Sequence, residues 1–257
     1  MQRQYDQDPP SQFYSGLVAE LYEPLAAETA RADEYISFLD QSGPPALELA
    51  CGSGLPLVEL LERGYEVDGL DASSDMLDRC RARAAERGLA PTLYLADMQS
   101  FQLPRRYRSV FLAGASFTLL TTDKDAANTL ERIYGHLESG GHALIPLEIE
   151  DTQAIRRHLG RYREVVDPSG DRLRVAMLAL DVSADGRNLY HRLRYERIPM
   201  AGEPIAVERT WERRWWTQEQ FRELVLAAGF NELAFLAPTG GPAKSDASVF
   251  VALARRA

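Results

Sequence analysis

The chain holds two cysteines and four histidines in 257 residues. Two cysteines cannot build a disulfide framework, so a stapled secreted fold is not expected and a reducing cytoplasm fits best. The histidines and cysteines are also unclustered, so no metal site is expected. No apolar run approaches the roughly 20 residues that cross a bilayer. The opening MQRQYDQDPP is polar and predicts no signal peptide. Excess positive charge is missing as well. The net charge is −9 and the pI is near 5.1. A sequence-independent grip on nucleic acid needs clustered lysine and arginine. The arginine pairs Arg105/Arg106, Arg156/Arg157 and Arg213/Arg214 are short and mixed with acids, as on a solvated face. Neither nucleic acid nor a membrane is therefore an expected partner.

What is present is ordinary globular material, 45% hydrophobic and 26% charged. The length suits one large α/β domain with an embellishment. We expect a helical cover over residues 1–45, a core over 46–149, a β cap over 150–215, and a closing helix and strands over 216–257. Phe13, Leu17, Leu21 and Leu25 recur at helical spacing, and Tyr35, Phe38 and Leu39 share a second helical face. After Gly43-Pro44-Pro45, strand and helix patterns alternate. Strands are predicted at Ala46–Ala50, Tyr65–Leu70, Thr92–Ala96, Ser109–Ala113 and His142–Ile149. Pro56 opens the first intervening helix. Met76, Leu77, Cys80 and Ala84 line the next, and Gly140-Gly141 is expected to stop a third. Pro146 predicts a bulge or strand end. The β-α-β order implies a doubly wound parallel sheet. Past residue 150 the pattern changes. Arg172–Val182, Asn188–Pro199 and Ile205–Trp215 are long, β-prone and separated only by turns, so they should pair antiparallel. Thr217 with Gln220 predicts a capping box, and two strands, Leu233–Leu236 and Ser248–Leu253, close the chain.

The stretch Glu48-Leu49-Ala50-Cys51-Gly52-Ser53-Gly54 joins a predicted strand to a predicted helix. Glycines at such a turn let backbone approach a ligand. The next strand ends at Asp71, where a Rossmann unit places the acid that accepts from ribose hydroxyls. Position 57, where a dinucleotide fingerprint has its third glycine, is leucine, and the turn carries no basic residue. This argues for an adenosine ligand without a pyrophosphate. The competing reading of Asp71 is a helix N-cap acid.

On these residues the chain resembles the class I S-adenosylmethionine-dependent methyltransferases, over nearly its whole length and most closely over residues 14–145. ELACGSG looks like the family's first motif, GLDASSDML like its ribose motif, and LADMQSF like its adenine motif. SVFLAGASFTLL resembles the motif after strand four, and LESGGHALI the glycine signature before strand five, with Ser139 in place of the usual proline. The resemblance implies a Rossmann-like seven-stranded sheet with an antiparallel insert after strand five. It implies S-adenosyl-L-methionine as cofactor and methyl transfer to a nitrogen or oxygen of a small-molecule acceptor. It further implies cofactor contacts at Glu48, Ala50, Gly52 and Gly54 in the turn. Asp71 and Ala72 would hold the ribose, Met76 would pack on the adenosine, Asp97 and Met98 would meet the adenine, and Ala113 and Ser116 would follow strand four. By comparison with the glycine N-methyltransferase branch, Arg31 would neutralise the cofactor carboxylate and Tyr14 would line the transfer cavity. Ala115 stands where that branch has a substrate-holding asparagine, so glycine is a poor guess for the acceptor. Nucleic-acid amino methyltransferases carry Asp/Asn-Pro-Pro-Tyr at this place, which GASF is not.

The acceptor side is less determined. Tyr14, Glu148 and His191 are the catalytic candidates, with Glu150, Tyr190 and Tyr195 as further polar groups. Trp211, Trp215 and Trp216 suit a cavity wall or plain core. Cys51 and His158 read as structural and exposed residues. Three alternatives stay open: a cofactor-dependent reaction without methylation such as a cyclisation, a non-catalytic partner subunit, and a macromolecule methyltransferase. A homodimer also stays open.

Overall fold

The computed structural model describes residues 10–26 and 30–257. In chain order its helices and strands are α1 (Pro10–Phe13), α2 (Leu17–Leu25), α3 (Asp33–Ser42), β1 (Ala46–Leu49), α4 (Leu57–Glu62), β2 (Val67–Asp71), α5 (Ser74–Ala85), β3 (Leu93–Leu95) and β4 (Tyr107–Leu112). There follow α6 (Asp123–His136), β5 (Leu137–Glu148), α7 (Thr152–Arg156), β6 (Tyr162–Val166), β7 (Arg172–Val182), β8 (Asn188–Ile198), β9 (Ile205–Arg214), α8 (Gln218–Ala227), β10 (Glu232–Leu236) and β11 (Val249–Arg255). A short 3₁₀ turn, Ser116–Leu119, follows β4. The chain divides into two compact units, residues 1–29 with 150–214, and residues 30–149 with 215–257. The N-terminal helices and the cap, far apart in sequence, thus share one unit.

The larger unit carries the expected seven-stranded sheet, ordered β10-β11-β5-β4-β1-β2-β3. Strands β1 to β5 run parallel, and β11 pairs antiparallel with β5 and β10. Side chains alternate across a strand, so each sheet face owns a core. Leu47 and Leu49 pack with Leu130 and Ile133 of α6 and Phe221 and Val225 of α8. Ala46 belongs to the other core with Tyr35 and Phe38 of α3, Leu57 and Leu60, and Leu77 and Cys80 of α5. Strand order reverses between β1 and β4, the place where open α/β sheets leave a crevice at their carboxyl edge.

The smaller unit is a four-stranded antiparallel sheet, β6-β7-β8-β9, as the three long β-prone runs predict. Phe13, Val18, Leu21 and Leu25 pack on its Leu173, Leu193 and Tyr195. Its edge strand β6 escaped the sequence reading. Four of the five residues Tyr162–Val166 are exposed, so no alternation marks them.

Three local expectations are corrected. Pro146 causes no bulge and pairs in register with Val251; of the two outcomes expected, the nearby strand end is the one found, at Glu148. The β4–β5 register ends at Phe111↔Leu144, so no β4 residue stands opposite the proline to need its missing N–H. The bulge lies instead between Tyr107 and Ser109. Gly140-Gly141 does not stop α6, which ends at His136; β5 starts at Leu137 and passes through the glycines. The continuous N-terminal helical spacing is broken by Gly16 at φ 52°, which separates α1 from α2.

Candidate functional site

The turn after β1 is held in a conformation that side chains resist. Ala50 has φ 54°, the only non-glycine residue with positive φ among those described, and Gly52 and Gly54 have φ 52° and 88°. A Cβ on Gly54 would come within 2.8 Å of both Cys80 Sγ and Val58 Cγ2, so this glycine is required for space as well as for backbone freedom. A Cβ on Gly52 would sit 3.3 Å from Met76 Cε, so the Met76 side chain packs close against this glycine. The Arg83 side chain, on α5, donates from Nε to the Ser53 carbonyl at 3.0 Å and steadies the turn from behind. Sequence reasoning passed over Arg83 because a lone arginine on a helix looks like surface.

Asp71 ends β2 and faces this turn. Its Oδ2 accepts the Gly52 N–H at 2.8 Å and its Oδ1 accepts the Ser73 N–H at 2.8 Å. Ser73 is the N-cap of α5, its side chain accepting from Met76 N at 3.2 Å. The N-cap reading of Asp71 is therefore replaced: the serine caps, and the carboxylate is oriented by two backbone donors with lone pairs to spare. Burial raises the Asp71 pKa, and the N–H groups of Ser73, Gly52 and Ala72 oppose the rise.

Glu48 lies one residue before the end of β1, on the face it shares with Ala46. It is fully buried, and neither carboxylate oxygen has a hydrogen-bond partner. Burial first, then the nearby Cys80 and Asp71, holds its pKa well above the usual carboxylate range. An acid on the buried face of a parallel strand is itself a sequence signal, since such strands are otherwise nearly all apolar.

The remaining predicted cofactor residues fall on the same sheet edge. Ala72 follows β2, Asp97 and Met98 follow β3, and Ala113 and Ser116 follow β4. Asp97 is exposed, and Met98 packs partly against the core. Ser116 Oγ donates to the Ala113 carbonyl at 3.2 Å, while Tyr35 Oη accepts the Gly114 N–H at 3.0 Å and anchors the loop. Arg31 is at the surface, 73% exposed, with its guanidinium 3.5 Å from Asp33.

The catalytic candidates are divided. Glu148 ends β5 in the larger unit, half-buried. Tyr14 and His191 belong to the smaller unit. His191 is fully buried, its Nε2 2.8 Å from Glu150 Oε2, and Glu150 in turn accepts from Arg213. Burial pushes the His191 pKa down to about 4, so the ring is neutral at pH 7. Trp211 lies beside it, ring centroids 5.6 Å apart, with Arg213 over the Trp211 ring. Trp216 is core, its Nε1 donating to Asp123 at 2.8 Å. Among the described residues no cluster of potential metal ligands exists, and no helix is long and apolar enough to cross a membrane.

Residues 46–141 match the Methyltransferase domain family, the segment that carries the turn and Asp71. A dTDP-3-amino-3,6-dideoxy-alpha-D-glucopyranose N,N-dimethyltransferase of Streptomyces fradiae is 30% identical over 53% of this chain and 55% of its own length. A glycine/sarcosine N-methyltransferase of Halorhodospira halochloris is 30% identical over 44% of this chain and 43% of its own. The chain thus spans about half the length of the curated relatives it matches. The sugar N-methyltransferase KedS8 of Streptoalloteichus sp ATCC 53650 superposes with TM-score 0.71 at 23% identity, covering 93% of each chain. At that identity the likeness concerns the fold alone.

Proposed function

We propose that the chain is an S-adenosylmethionine-dependent methyltransferase that methylates the amine of a small molecule. The observation that carries the cofactor assignment is the pairing of Asp71, oriented by the Gly52 and Ser73 N–H groups, with the partnerless buried carboxylate of Glu48. The residues fit the cofactor. A buried acid without a donor suits an ammonium group, and a carboxylate with spare lone pairs suits a diol. When bound, the cofactor supplies an electrophilic methyl group on a sulfonium.

The chain's part is alignment. Asp71 fixes the ribose, Glu48 the amino end, Met76 and Met98 the adenosine walls, and Asp97 the adenine amino group. Ala113 and Ser116 close the floor after β4. Arg31 contributes to the carboxylate only by leaving Asp33. In-line displacement gains most of its rate from such positioning, and an amine needs only to be presented without its proton. Glu148 shares the carboxyl sheet edge with Asp71 and is the carboxylate we assign to that proton.

A nitrogen acceptor is favoured over oxygen by the relatives. Both compared sequences are named as N-methyltransferases, one of an amino sugar and one of an amino acid. The test supplies methyl-labelled cofactor with dTDP-3-amino-3,6-dideoxy-α-D-glucopyranose and, separately, with glycine. Label on the sugar nitrogen supports the reading. Consumption of the cofactor with no labelled N-methyl product would overturn it in favour of a non-methylating reaction.

A further inference from the structure

Tyr35 lies in the first turn of α3, buried, with its ring 5.2 Å from that of Phe111 on β4. The helical face it shares with Phe38 and Leu39 asks only for an apolar ring, which phenylalanine would supply as well. The hydroxyl has a separate partner. Its oxygen accepts the Gly114 N–H at 3.0 Å, across 79 positions of sequence. Gly114 stands in the middle of the loop that leaves β4. Upstream, the strand fixes the chain. Downstream, Phe117 is buried with its ring 5.4 Å from Trp216 and 5.2 Å from Phe221. Thr118 closes the turn onto the Ala115 carbonyl, donating from Oγ1 at 2.7 Å and from its backbone N–H at 3.0 Å. Gly114 itself is exposed, has φ 66°, and offers open space where a Cβ would be. Packing therefore does not hold this peptide, and the Tyr35 hydroxyl does.

We propose that Tyr35 is a positioning residue for cofactor binding: its hydroxyl fixes the Gly114 peptide and, through it, the neighbouring Ala113 and Ser116. The inference about affinity rests on the proposed cofactor site, in which those two residues form the floor; the hold on Gly114 does not. Glycine has the widest backbone freedom of any residue, so a loop centred on it samples many conformations unless something outside restrains it. A loop ordered before the ligand arrives spares binding that entropic cost. The only fastener in the loop that spans Gly114 from side to side is the Ser116 Oγ bond to the Ala113 carbonyl, at 3.2 Å. It ties the two flanks to each other without fixing either to the rest of the unit. The Tyr35 bond supplies that link, because its ring is locked against Phe111 in the core on the α3 side of the sheet.

Tyr35→Phe removes the oxygen and keeps the ring against Phe111. It is compared with the parent by amide exchange at Gly114 and by calorimetric affinity for S-adenosylhomocysteine. Phe38→Leu is the control. Phe38 packs on the same Phe111 ring, at 6.4 Å, so this change loosens α3 without touching the hydroxyl, and a lowered thermal midpoint reports the lost packing. Expected for Tyr35→Phe are faster exchange of the Gly114 amide and an affinity lowered about tenfold, the size of one lost hydrogen bond. Phe38→Leu should keep both the Gly114 protection and the affinity. Unchanged Gly114 exchange in Tyr35→Phe overturns the proposal, as does unchanged affinity. An equal loss of affinity in the two variants also overturns it, by assigning the effect to a loosened α3. If the parent protein binds no S-adenosylhomocysteine, the cofactor reading fails and the claim on affinity with it, while exchange at Gly114 still decides whether the hydroxyl holds the loop.

Discussion

Glu48 is a carboxyl group in a place where water cannot help it. Its raised pKa lets the folded protein hold the proton to higher pH than the unfolded chain, which ionises it above its ordinary pKa of 4.5. Its contribution to stability is therefore full below pH 4.5 and is lost as pH rises toward its native pKa. Glu48→Gln should raise the thermal midpoint at pH 8 relative to the parent while weakening S-adenosylhomocysteine binding by about 1–3 kcal/mol, the scale of a hydrogen bond to a charged group. A parallel fall in both quantities would contradict this. Asp71→Ala should cost about 1–3 kcal/mol of the same affinity with little change in fold, measured by calorimetry. Both residues are legible in the sequence, since an acid just before a glycine turn and an acid ending the next strand form a spaced pattern. Their hydrogen-bond accounts are not. Only the folded chain brings the Gly52 N–H to Asp71 and leaves Glu48 with no donor. Arg31 shows the reverse case, a plausible ligand by motif that the fold leaves exposed beside Asp33.

At the level of elements, long β-prone runs and capped helices follow the local code closely. The Thr217–Gln220 capping box forms as read, and Thr217→Ala should destabilise the protein by about 1 kcal/mol in urea unfolding. Elements whose limits depend on neighbours do not follow it. β5 begins at Leu137, well before the expected His142, because Leu137 finds a partner in Tyr107. In the cap sheet, β8 carries His191 into a buried position against Glu150 and Trp211. Its native pKa of about 4 lies below the ordinary 6.5, so the unfolded chain takes up the proton first as pH falls. The associated stability is full above pH 6.5 and is lost down to about pH 4. The loss amounts to about 3 kcal/mol for this residue. Urea unfolding at several pH values should show a shallower acid slope for His191→Gln than for the parent; equal slopes would assign the acid sensitivity to other groups.

Across the whole molecule, the two units have different origins in the chain. The larger one is a nearly uninterrupted β-α-β series, and the smaller one joins the first helices to the segment after β5. A ligand of the larger unit should stabilise it by mass action. S-adenosylhomocysteine at a hundred times its dissociation constant should add about 2.7 kcal/mol. Amide exchange should slow around Gly52 and Ser73, and in Asp71→Ala the same protection should need more ligand. The order of elements, the glycine turn, the two acids and the antiparallel insert can all be read from residue types and spacing, because hydrophobic period and turn chemistry act over a few residues. The packing of α2 on the four-stranded sheet, the burial of His191 and the exposure of Arg31 belong to the fold. Each depends on contacts between segments distant in the chain, or on burial, and neither is encoded in local spacing.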